Sequence, residues 1–70
     1  MAKRTVLAQL GHEAAMELVH MYCTLDEPQW KAHKDKHDAA VQAALAFPIA
    51  ERLAQYWPAY NAVRDHFDAS

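Results

Sequence analysis

The chain has one cysteine and one glycine in its 70 residues, and no long hydrophobic run. Each shortage excludes something. A lone cysteine cannot close an internal disulfide, so nothing in the cysteine usage points to an oxidising compartment. A single glycine leaves no glycine-rich phosphate loop. The apolar stretches fall well short of the ~20 residues that a membrane-spanning helix needs. A strong charge of either sign is missing too: seven Lys and Arg face nine Asp and Glu, leaving −2 with histidines neutral. No overall field therefore draws the chain to nucleic acid or to an anionic membrane. The basic residues near the start are followed by a segment broken by Gln9, His12 and Glu13, which is not the pattern of a signal peptide. The resulting expectations are a single helical domain over residues 1–70, a cytoplasmic location and no cofactor.

What is present reads as helix. From Thr5 to Leu25 an apolar stripe of Leu7, Gly11, Ala14, Leu18, Met21 and Leu25 alternates steps of four and three. A second stripe of Ala8, Ala15, Val19 and Cys23 runs beside it, with Tyr22 and Met16 at its edges. Gln9, Glu13, Glu17, His20 and Thr24 form the polar line. The apolar arc exceeds the roughly 100° that a surface helix buries. Helix 1 is therefore expected to be central in the fold or shared with a partner. Gly11 lies on the main stripe, where it costs about 1 kcal/mol relative to Ala. A close approach of another helix axis accounts for it. Thr5 suits an N-cap.

Residues 24–30 punctuate the chain. Asp26 reads as an N-cap with Gln29 completing a capping box, and Leu25 with Trp30 fits a hydrophobic staple. Pro28 falls in the first turn, where its missing N–H is harmless. Helix 2 then has two unlike halves. Residues 31–38 are charged nearly all round, with Lys31–Asp35 and Lys34–Asp38 spaced as ion pairs. Residues 39–45 are mostly alanine, and the helix carries a stripe of Trp30, His37, Val41 and Ala44. Phe47-Pro48 ends it. The stripe Ile49, Leu53, Tyr56, Tyr60, Val63, Phe67 keeps its phase past Pro58, which argues for one helix kinked there, with the carbonyl of Ala54 turned to water. The expected architecture is all-α: three helices over about 5–24, 27–46 and 48–68, packed as an antiparallel bundle and paired as a homodimer through helix 1. The expected dimer interface is Gly11, Ala15, Met16, Val19 and Cys23. A core of this size supplies only ~3–5 kcal/mol alone, so a second subunit is a natural supplement.

Chemistry-bearing constellations are sparse. His33 and His37 stand one helical turn apart, and His20 and Cys23 have a zinc-like gap, so His20, Cys23, His33 and His37 outline a tetrahedral set. His20 and Cys23 fall on different faces, however, and the expected state of Cys23 is core packing. Glu17 and His20 have the Glu-x-x-His spacing of di-iron bundles, which need two such motifs; this chain has one. Cys23 with His20 lacks oxyanion donors and an orienting carboxylate, and Thr5, Thr24 and Ser70 suit caps or a chain end, so an enzyme is not expected. Lys31, Lys34 and Lys36, even with Lys3 and Arg4, are diluted by Asp26, Glu27, Asp35 and Asp38, so nucleic acid is not an expected partner. Trp57, Tyr60 and Arg64 on the third helix, with Trp30, are the residue types that anchor protein interfaces.

These features favour a small non-enzymatic interaction module. It would bind and occlude a surface on another protein as a regulator or inhibitor, of the sort that phages encode against host proteins. Two alternatives remain: a metal-binding structural module built on His20, Cys23, His33 and His37, and a helical subunit of a larger assembly.

Overall fold

In the computed structural model, residues 5–69 are described; Lys3, Arg4 and Ser70 lie outside the described residues. Helix α1 spans Val6–Cys23, and α2 spans Glu27–Leu45. The third helix is continuous but changes its winding. It opens as α3 (Ile49–Glu51), widens into a π-helical turn (Arg52–Tyr56) and continues as α4 (Trp57–Ala69). Among the described residues there is no strand, and no helix is long and apolar enough to cross a membrane.

The helix starts are set by the predicted caps. Thr5 is extended and its hydroxyl accepts from the Ala8 N–H at 3.1 Å. Asp26 does the same for the Gln29 N–H at 3.2 Å. Each satisfies a donor that the first turn would otherwise strand, worth about 1 kcal/mol. The staple beside the second cap does not form: Leu25 is fully exposed and Trp30 is 38% exposed. Three residues connect the helices here, and they turn Leu25 outward instead of back over Trp30.

Pro58 distorts the third helix, one turn earlier than expected. Its ring has no N–H and crowds the carbonyl of Ala54, so the turn before it opens. The Trp57 N–H bonds back to the Arg52 carbonyl, five residues away. The extra residue in that turn breaks the phase of the predicted stripe. Tyr56 is buried and Tyr60 and Val63 are half-buried, but Ile49 and Leu53 are 66% and 62% exposed.

Helix α1 packs against both α2 and the third helix. The hydrophobic core is Leu7, Ala14, Ala40, Ala44 and Tyr56, with Leu10, Val41, Phe47 and Tyr60 against it. Gly11 is buried where α1 meets the π turn. A Cβ there would overlap the Tyr56 carbonyl oxygen and stand 3.1 Å from its carbon. The widest turn of the third helix thus rests on the one α1 position that has no side chain.

Candidate functional site

Two regions carry the residues singled out by sequence. The first lies between α1 and α2. Glu17 and His20 stand one turn apart on α1, and His33 on α2 reaches them across the turn of residues 24–26. His33 Nδ1 donates to Glu17 Oε2 at 2.5 Å. The His20 and His33 rings lie 4.8 Å apart, centre to centre, tilted by 50°. His20 Nδ1 is shielded from solvent and lies 3.5 Å from the same Glu17 oxygen, without hydrogen-bond geometry. The nitrogen itself is shielded although the side chain is 45% exposed, and its one polar neighbour is Glu17 at that long distance, a weakly satisfied state that calls for a reason. One ligand-type atom from each of Glu17, His20 and His33 lies within 4.8 Å of the other two. Burial pushes the Glu17 carboxyl up, but hydrogen bonding and charge from His33 and His20 outweigh it and hold the group below its ordinary value. A carboxylate between two imidazoles can hold a proton or a divalent cation.

This trio is not the set outlined by sequence. Cys23 is exposed, not core, because it ends α1 beyond the cover of its neighbours. His37 turns to Asp38, with Nδ1 3.1 Å from Oδ1. Glu17 replaces them. Its Glu-x-x-His spacing was a visible signal, but the third member comes from the other helix. The charged half of α2 keeps the Lys34–Asp38 pair at 2.8 Å; the Lys31–Asp35 pair does not form.

The second region is apolar. Tyr56, Trp57 and Tyr60 form an aromatic cluster, with centroids 5.1 Å apart for Tyr56–Trp57 and 5.3 Å for Trp57–Tyr60. Burial raises the phenol pKa of both tyrosines, which keeps the cluster uncharged. Trp57 is 43% exposed. Two depressions meet at Tyr60. One, of about 220 Å³, is lined by His37, Val41, Ala44, Leu45, Arg52, Tyr56, Trp57 and Tyr60. The other, of about 610 Å³, runs between α1 and α4 past Ala15, Leu18, Val19, Tyr22, Tyr60, Arg64, Phe67 and Asp68. Tyr22 stacks on Phe67 across its end, at 6.3 Å. Arg64 stands 3.9 Å from Asp68. The structure therefore gathers Trp57, Tyr60 and Arg64 on connected grooves, whereas Trp30 lines neither. Leu45 joins the exposed apolar surface, and so do Ile49 and Leu53, although both lie on the apolar stripe of the third helix.

The expected dimer residues divide. Gly11 and Ala15 are buried inside this single chain, so the close approach that Gly11 signals is to the chain's own third helix. Met16 and Val19 are half-buried and Cys23 is exposed. Compared with protein families, characterised proteins and solved structures, the chain matches none of them.

Proposed function

We propose that this protein is a non-enzymatic interaction module, a regulator or inhibitor that docks on another protein and occludes part of its surface. One observation carries the reading. Nine large hydrophobic side chains are exposed, whereas Leu7 and Tyr56 are the only large ones buried among the described residues. A monomer that exposes this much apolar surface has a partner for it. The docking face of this reading is Leu53, Trp57, Tyr60 and Arg64, with Leu45 at its edge. It combines a large aromatic anchor, a flanking arginine and grooves on either side, the usual composition of an interface hot spot. The short connections favour an antiparallel arrangement of the three helices. Self-association through α1 would use Met16, Val19 and Cys23, the part of its apolar surface that the chain leaves accessible.

Photo-crosslinking from position 57, with position 31 on the charged half of α2 as control, tests the reading in extract of the source cells. The expected result is one protein captured from position 57 alone. Reconstituted with that protein, Trp57→Ala and Leu53→Ser each weaken binding at least about tenfold. Equal capture from both positions, or affinity unchanged by both substitutions, overturns it. Light scattering on the purified chain measures the dimer separately.

A further inference from the structure

From the arrangement of Glu17, His20 and His33, we infer that the seam between α1 and α2 is a binding site for a divalent transition metal, with zinc the natural occupant. The inference is independent of the docking face. Three features meet at one point. The donor set is two imidazoles and one carboxylate, which suits zinc and its neighbours and not magnesium or calcium. The donor atoms converge to within 4.8 Å from two different helices. And the His20 Nδ1 atom is withdrawn from water with no hydrogen bond, only a 3.5 Å contact to Glu17 Oε2. A ring nitrogen kept from solvent and so poorly satisfied is accounted for if a cation sits between it and that carboxylate.

The distances fit. Ligands about 2.0–2.1 Å from a tetrahedral ion stand about 3.3–3.5 Å from one another. Glu17 Oε2 and His20 Nδ1 are already 3.5 Å apart. Glu17 and His33 hold a hydrogen bond of 2.5 Å where the ion would sit. Binding is thus an exchange. The divalent ion enters, and His33 Nδ1 gives up its proton to solvent while Nε2 holds the ring's single N–H, taken up from solvent if the ring was neutral, so the imidazole ligates uncharged. His33 Nδ1 and Glu17 Oε2 part by about 1 Å to become ligands. The fourth position is open to water or to a donor from another molecule. Because His33 belongs to α2 and the other two ligands to α1, the ion ties the two helices together and stabilises the fold.

Zinc and cobalt(II), added in turn to the purified metal-free chain, provide the test. Zinc should bind one ion per chain and raise the melting temperature. Cobalt(II) should develop the visible absorption of a four-coordinate site. His20→Ala is the deciding variant, because its ring makes only the long contact to Glu17 and the ring contact to His33; circular dichroism of the metal-free variant should show the parent's helicity. The substitution should weaken zinc binding at least about tenfold. Glu17→Gln should do the same, while Cys23→Ala and His37→Ala bind as the parent chain does. Melting unmoved by a large excess of zinc, His20→Ala binding as tightly as the parent, or loss of binding in Cys23→Ala would each overturn the inference.

Discussion

The two halves of α1 are held in place by opposite means. Its buried residues, Leu7, Gly11, Ala14 and Ala15, end at the middle of the helix. None lies beyond Ala15, and near the C-terminal end Tyr22 is 73% exposed and Cys23 lies open. The first half is secured by close contact, with a backbone-to-backbone approach at Gly11 that leaves no room for a methyl group. The second half is secured by a polar latch, Glu17 to His33, at a seam that is only partly dry. Close packing fails when atoms are added. A latch fails when a donor is removed or a proton arrives.

Gly11→Ala should have the largest effect. Alanine gains about 1 kcal/mol over glycine in a helix, but the overlap with Tyr56 is with backbone, which cannot rotate away. A net loss of about 1–3 kcal/mol is expected, read as a lower urea midpoint and a melting temperature lower by several degrees. Equal or higher stability would mean that the third helix can slide off α1 freely.

His33→Ala comes next. It strands the Glu17 carboxylate at a site where the two side chains are 27% and 18% exposed. After allowance for that partial exposure, a loss of about 1 kcal/mol is expected in urea unfolding. Proteolysis near residues 24–26 should quicken, whereas Gly11→Ala should loosen the third helix instead.

The acid limb gives a subtler separation. Glu17 binds a proton less readily in the folded chain than at its ordinary value of 4.5, so the unfolded chain holds more protons in that window. The contribution is complete above about 4.5 and is lost as pH falls through the lower folded value. Glu17→Gln should flatten this part of the stability–pH profile, while Gly11→Ala should shift the profile down without changing its slope. An unchanged slope in Glu17→Gln would show that the latch carries no charge-dependent stability. Smallest of all is Lys34→Ala. It breaks an ion pair that is open to solvent on both sides, and the urea midpoint should not move measurably.

Much of the frame was legible in the sequence because it is local. Thr5 and Asp26 announce helix starts within four residues of themselves, and Phe47-Pro48 announces an end. Gly11 marked a close approach, although not which helix approaches. The stripe on the third helix was misread because periodicity assumes one winding. The π turn adds a residue, and Ile49 and Leu53 rotate away from Tyr56 and Tyr60. The latch was half visible. Glu17 and His20 announce themselves by spacing, but His33 joins them only through the geometry of a three-residue turn. Residues sixteen positions apart carry no periodic signal of their contact. Cys23 and Leu25 were assigned to packed faces because a helical wheel has no end, whereas a real helix runs out of neighbours.

Among the described residues, four of the six buried hydrophobic ones are alanines: Ala14, Ala15, Ala40 and Ala44. Alanine has no rotamers to freeze, so an interior of this kind is assembled with little loss of side-chain freedom. Short side chains also let helix axes come close without demanding a matched jigsaw of branches. Both tryptophans, Ile49, Leu25, Leu45 and Leu53 stay on the rim, where exchanging one for another alters the surface and leaves the scaffold intact. Such a surface can change over generations without the chain having to relearn how to fold.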